Sequence, residues 1–366
     1  MEAYWYWFCH ELYLDRVWAR ELLGYYKNPE AVYRTNEAEL LKLFPRKAAR
    51  HLDFIKKRKN WVISEEWEKC QDKGIGFYSC EMEAFPQTLR DIPDAPLGIF
   101  VKGELPDPGL PAIAIVGARM CSAYGQVTAS LFGRELAEHG VQIISGMAAG
   151  VDGYAHRGAL KAGGKTFGIL GCGVDVCYPR QNRDIYEAMA ISGGLLSEYP
   201  PGTPPLPYLF PIRNRVISGL SRAVLVVEAR EKSGSLITAD LALEQGKEVY
   251  AVPGRIDDVL SRGCNHLLAQ GAAVADSPEG LCRELGLLMP VPKPADGKNK
   301  KSLESAELLV YTCLGFHALH IEEIRKKAGL PLLQVMRTLV SLELKGYACE
   351  IRKNYYTLSS HPQGVS

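Results

Sequence analysis

No stretch of this 366-residue chain approaches the roughly 18 to 20 consecutive apolar residues that a membrane-spanning helix needs. The aromatic start, Tyr4-Trp5-Tyr6-Trp7-Phe8, lacks the basic flank and small-residue cleavage site of a signal peptide. A cytosolic protein without a membrane partner is expected. None of the ten cysteines forms a Cys-x-x-Cys pair, and the closest two, Cys172 and Cys177, have no histidines at zinc-ligand spacing. They read as reduced core thiols, and no metal is expected. Net charge is also missing: the chain carries +1 overall, divided as −1 over residues 1–104, −2 over 105–289 and +4 over 290–366. A nucleic-acid partner would therefore need positive charge focused in a local groove or assembled across an oligomer.

Three catalytic or cofactor signatures are absent as well. The first strand of the central region ends in Gly117-Ala118-Arg119, with arginine where a dinucleotide-binding G-x-G-x-x-G keeps glycine, so neither a nicotinamide nor any other cofactor is expected. No G-x-S-x-G elbow and no Ser/His/Asp order is found. No catalytic residue is assigned.

What is present divides into four segments. Residues 1–84 carry apolar residues at helical spacing over Glu11–Tyr25, Pro29–Phe44 and Ala48–Val62, which predicts a small helical domain. Its run Lys56-Lys57-Arg58-Lys59 reads as a solvated helix face. Residues 85–286 begin with a turn-rich junction and a short strand at Leu97–Val101. Apolar strands then alternate with amphipathic helices: Ala112–Val116, Val141–Ile144, Thr166–Leu170, Gly194–Ser197, Ala223–Val227, Glu248–Val252 and Ala272–Ala275 are the strands. Unbroken apolar strands separated by helices describe a parallel sheet buried on both faces, hence an α/β, doubly wound, Rossmann-like domain. Residues 287–302, with three prolines and a polar lysine-rich run, read as a linker. Residues 303–360 hold three helical patterns and a hairpin turning near Lys353-Asn354, the order of a winged helix. The third helix is mostly apolar, with Arg337 and Lys345 as its only cations, which suits docking or regulation at least as well as base reading.

In an open α/β sheet, ligands gather beyond the carboxyl ends of the strands. Four loops there are rich in small residues: Gly117-Ala-Arg119, Ser145-Gly146 running on to Asp152 and His156, Gly171-Cys-Gly173, and Ser233-Gly234-Ser235 with Thr238 one turn inside the following helix. Small residues at a helix start leave backbone N–H groups and the positive dipole end free for an anion, and phosphate fits best. Arg119, Arg213 and Arg215 supply planar guanidinium groups for bidentate contact, with Asn214 between the latter two. Phe210, Tyr208 or Tyr199 would stack on a base, held out by the proline-rich segment Pro200–Pro211. Asp152 is expected to cap its helix, and His156 to sit in the core.

The blocks Ile115-Val-Gly-Ala-Arg119, Ser145-Gly-Met-Ala-Ala-Gly-Val-Asp152, Gly171-Cys-Gly-Val-Asp175 with Tyr178-Pro179, Ser197-Glu-Tyr-Pro200, Phe210-Pro-Ile-Arg-Asn-Arg215, Ser233-Gly-Ser-Leu-Ile-Thr-Ala239 and Val252-Pro-Gly254 resemble, in order, those of the DprA/Smf family, the DNA-processing protein A of bacteria. The flanking segments are similar to that family's SAM-like and winged-helix domains. The resemblance implies an extended Rossmann domain that dimerises, binds and protects single-stranded DNA, and loads the RecA recombinase during natural transformation. Carried over by position, Arg119, the Ser145-Gly146 turn, Arg213 to Arg215 and the Ser233 to Thr238 loop become the DNA pocket. An alternative on the same scaffold is a nucleotide-hydrolysing, phosphoribohydrolase-like enzyme, which would use Asp240 as its acid.

Overall fold

The computed structural model describes residues 2–45, 62–287, 305–314, 319–345 and 347–358. The chain separates into two compact units, Met1–Met289 and Pro290–Ser366. The expected helix Ala48–Val62, apart from Val62, and the Lys56–Lys59 run lie outside the described residues, as does the expected linker except for Leu287.

The first unit is built on a nine-stranded sheet in the order β1-β2-β6-β5-β4-β3-β7-β8-β9. Its strands are β1 Ile75–Ser79, β2 Gly98–Gly103, β3 Ala112–Val116, β4 Gln142–Ser145, β5 Thr166–Ile169, β6 Gly194–Ser197, β7 Ala223–Val226, β8 Glu248–Ala251 and β9 Ala273–Val274. The run from β6 to β9 is parallel throughout, whereas β2 joins β6 and β1 joins β2 antiparallel. Every residue of β3 is buried. Side chains alternate across a strand. Ala112, Ala114 and Val116 accordingly enter one core while Ile113 and Ile115 enter the other, each covered by helices. The chain winds outward from β3 through β4, β5 and β6, then returns to place β7 on the other side of β3. That reversal opens a crevice beyond the carboxyl ends of β3 and β7.

Two features of the N-terminal region differ from the sequence expectation. The aromatic start is itself a helix, Glu2–Leu12, and the expected Glu11–Tyr25 segment breaks, with Asp15 capping a new helix, Arg16–Tyr26, through a bond from the Trp18 N–H at 3.0 Å. Trp5, Trp7, Phe8 and Trp18 pack with Phe77 of β1 and Phe100 of β2 in one aromatic core. Strand β1 lies before the expected boundary at residue 84, so the sheet begins inside the segment read as wholly helical. Alternation in Ile75-Gly-Phe-Tyr-Ser is too short to stand out beside a helical stretch.

The second unit contains helices Ser305–Cys313, Ile321–Ala328 and Leu332–Leu344 and a three-stranded sheet, Leu319–His320, Ala348–Arg352 and Tyr355–Leu358. This is a winged helix. Asn354, at φ 65°, makes the hairpin turn where it was expected. Val335, Leu339 and Leu342 of the third helix are buried, and Leu333, Met336, Val340 and Leu344 stay exposed along its outer side.

Candidate nucleic-acid interface

An open cavity of about 340 Å³ lies at the reversal point, lined from four directions, one of them the segment after β4 through Ala148 and Asp152. The loop after β3 contributes Gly117 and Arg119, the helix Leu209–Gly219 contributes Phe210, Arg213 and Asn214, and the loop after β7 contributes Lys232, Ser233, Gly234, Ser235 and Thr238. The last loop opens the helix Gly234–Glu244. Ser233 caps that helix, its hydroxyl 2.7 Å from that of Ser235 and accepting the Ser235 N–H at 3.4 Å. Asn214 ties two walls together by donating its Nδ2 to the Gly234 carbonyl at 3.2 Å.

Close packing explains Gly117 and Gly125. A Cβ on Gly117 would lie 2.7 Å from Val151 Cγ2, and one on Gly125 would strike the Glu228 carboxylate. Glu228 is buried beyond β7 and accepts the Ser122 N–H at 2.8 Å and the Ser122 hydroxyl at 2.5 Å. It thereby pins the loop after β3 to that after β7, a role with no sequence signature beyond a lone acid after an apolar strand.

Phe210 is the centre of the charged wall. The guanidinium of exposed Arg119 lies 5.5 Å from its ring centroid and that of Arg213 5.9 Å, both at cation–π range. Arg213 is only 5% exposed, and its Nη1 donates to the carbonyls of Gly146, at 2.7 Å, and Ile169. Burial pushes its pKa down to about 10, against the Asp152 carboxylate that raises it, and it remains cationic at neutral pH. Asp152 accepts the N–H groups of Gly146 and Ala148 at 3.0 and 3.3 Å. It therefore organises the loop after β4 rather than capping its own helix. Burial pushes its carboxyl up, opposed by Arg213 and by those two N–H groups. His156 is fully buried, with Nδ1 2.7 Å from the Thr166 hydroxyl.

Three of the residues expected in the pocket lie elsewhere. Arg215 points away from the cavity and forms ion pairs with Glu198 at 2.7 Å and Asp94 at 2.9 Å. Ser145 is buried, donating its hydroxyl to the Ile115 carbonyl at 2.5 Å. Gly146 stands behind the wall, its peptide held between Asp152 and Arg213. Of the stacking candidates besides Phe210, Tyr199 is buried with its hydroxyl donating to the Leu209 carbonyl, and Tyr208 is exposed but does not line the cavity. Asp240 is exposed and also does not line it. Lys232 carries no distinctive signal in the sequence, because a single lysine before a Ser/Gly loop looks like ordinary surface charge.

Among the described residues no helix is long and apolar enough to cross a membrane, and no group of three or more His, Cys, Asp or Glu is placed to hold a metal. Residues 76–286 match the family described as DNA recombination-mediator protein A, and residues 292–350 match the DprA winged helix domain. Protein Smf of Escherichia coli K12 is 39% identical over 286 residues, covering 76% of each chain. DNA processing protein DprA of Streptococcus pneumoniae R6 is 41% identical over 222 residues, 61% of this chain and 77% of its own. The X-ray structure of DNA processing protein A from Streptococcus pneumoniae superposes with a TM-score of 0.60 at 38% identity, covering 64% of this chain and 82% of that one. DNA processing protein A from Helicobacter pylori, whose structure is described for its single-stranded DNA binding mode, gives a TM-score of 0.51 at 31% identity over 57% of this chain and 95% of that one. The doubly wound sheet, the winged helix and the ordered motif blocks thus agree with the family match, and the chain belongs to the DprA/Smf family of DNA-processing proteins.

Proposed function

We propose that this chain binds single-stranded DNA in the cavity at the β3/β7 reversal, does no bond chemistry there, and hands the protected strand to a RecA-type recombinase in the cytosol. The observation that carries the reading is the Arg119–Phe210–Arg213 arrangement beside Lys232 and the start of the helix Gly234–Glu244. A half-buried aromatic ring suits an unpaired base, and the cations and helix N-terminus suit the phosphates on either side of it. Duplex DNA keeps its bases stacked inside and gains nothing from such a ring. The relative from Helicobacter pylori, described for its single-stranded DNA binding mode, supports the same substrate class.

The hydrolase alternative loses support on two grounds. Its acid, Asp240, is not at the cavity, and Asp152, the acid that lines it, is engaged with two backbone N–H groups. Dimerisation would join two cavities into a longer groove, compensating for the weak overall charge through avidity.

Anisotropy with labelled single-stranded and duplex oligonucleotides over a salt series tests the proposal. Single strands bind more tightly, and Arg119→Ala weakens binding across sequences while lowering the slope of log K against log salt by about 0.7. Equal affinity for both forms, or wild-type binding by both Arg119→Ala and Lys232→Ala, would overturn it. Recombinase loading is checked by adding RecA to the complex and following filament growth, which the chain should accelerate.

A further inference from the structure

We propose that Tyr178 and Arg180 form a second nucleotide subsite, which takes the base and phosphate adjoining those held in the cavity. The inference rests on the single-stranded DNA reading above and extends the path of the strand out of the cavity in one direction.

The loop after β5 runs along the carboxyl edge of the sheet and lies directly against Phe210: a Cβ on Gly171 would come within 2.7 Å of that ring. Further along the same loop, the Tyr178 ring packs on Phe210 with centroids 5.6 Å apart and planes tilted by 41°. Phe210 therefore contacts both Arg119 and Tyr178, and of the three Arg119 and Phe210 line the cavity. Tyr178 remains 42% exposed, so one part of its ring rests on Phe210 while another stays open to solvent. Base stacking on an exposed aromatic is sequence-tolerant because every base has a π-face.

Charge follows the ring. Arg180 is exposed two residues on and enters no ion pair among the described residues, whereas nearby Arg157 and Arg183 are engaged with Asp184 at 2.9 Å and Glu187 at 2.8 Å. An exposed guanidinium two residues from a stacking platform matches the alternation of base and phosphate along a strand.

The platform is also held in place. Asn182 donates its Nδ2 to the carbonyls of Met147, at 3.1 Å, and Ala148, at 2.9 Å, and Tyr186 donates its hydroxyl to the Val174 carbonyl at 2.7 Å. The Tyr186–Val174 bond brackets Tyr178 in the chain and Asn182 follows it four residues on, so little ordering is left for the strand to impose on binding.

Oligothymidylates lengthened one nucleotide at a time test the subsite in the full chain. The wild type gains affinity, by about tenfold for a good stack, at the length that first reaches both rings. Tyr178→Ala loses that step and keeps its affinity for the shorter oligonucleotides, Tyr178→Phe retains the step, and Arg180→Ala lowers the salt slope of the longer ones by about 0.7. A Tyr178→Ala protein that keeps the step, or that weakens equally at every length, overturns the subsite while Arg119→Ala still weakens binding. Wild-type affinity in Arg119→Ala at all lengths overturns the cavity reading, and the subsite with it.

Discussion

Arg213 and Arg215 are two residues apart on the helix Leu209–Gly219 and face opposite sides of it. At 100° per residue, side chains at i and i+2 diverge by about 200°. Arg213 holds the Gly146 carbonyl at 2.7 Å in the cavity wall, whereas Arg215 chelates both oxygens of Glu198 at 2.7 Å and reaches Asp94 at 2.9 Å through Nε. Asp94 also receives Arg16 at 2.9 Å and Arg20 at 2.6 Å from the helix Arg16–Tyr26. One helix thus presents the cavity with one face and clamps the N-terminal helices to the sheet with the other.

Arg215→Ala consequently acts on stability. Glu198 is 8% exposed, and removing Arg215 takes away its two 2.7 Å bonds and leaves it only Arg16 at 3.6 Å, at a cost approaching the about 3–5 kcal/mol of a broken buried pair. Urea melts should show that loss, while single-stranded DNA affinity, measured well below the unfolding transition, stays at the wild-type value. A stable Arg215→Ala protein with weakened DNA binding would return Arg215 to the interface.

The same helix shows where sequence reading reached its limit. The parallel strands from Ala112 onward were legible because runs such as Ala112–Val116 are apolar on both faces, and the Ser233-Gly234-Ser235 helix start followed from its small residues. Arg213-Asn214-Arg215 looked like a single grip because two cations and an amide in a row say nothing of direction until a helix is fixed. The helix itself hid behind the prolines before it: Pro211 falls in its first turn, where no N–H partner is lost. Glu198, Asp94 and Arg16 come from three distant stretches, and no local pattern announces that they meet.

Two glycines of the loops should respond in opposite ways. A Cβ on Gly146 would lie 2.7 Å from both Arg213 Nη2 and Asp152 Oδ2, between two buried side chains with no room to retreat. Gly146→Ala should destabilise by about 1–3 kcal/mol, as overpacking does, and weaken DNA binding by displacing Arg213. Gly234 has nothing within 4 Å of an added Cβ and begins a helix, where alanine is the better former. Gly234→Ala should leave the melting temperature unchanged or slightly raised. Thermal melts of the two variants, run beside the anisotropy assay, check the pair; a fully stable Gly146→Ala protein would show that the wall yields.

His156 should make the fold sensitive to mild acid. Burial, with Arg157 and Arg213 adding to it, pushes its pKa down to about 3, far below the ordinary value of about 6.5 that the unfolded chain regains. Between those two values the unfolded state binds a proton that the native state refuses, so stability is complete above about pH 6.5 and falls as pH is lowered through the window, by up to about 1.4 kcal/mol per pH unit. Asp152 works in the other sense, since a carboxyl pushed up by burial favours the native state at low pH. Comparing variants at matched pH isolates the histidine. His156→Leu removes the titrating group, and Thr166 is not orphaned, because its hydroxyl still donates to the Ile143 carbonyl at 2.9 Å. Melting temperatures taken from pH 7 down to pH 4.5 should fall more steeply for the wild type than for His156→Leu. Parallel curves would mean that His156 meets solvent and accepts its proton in the folded protein.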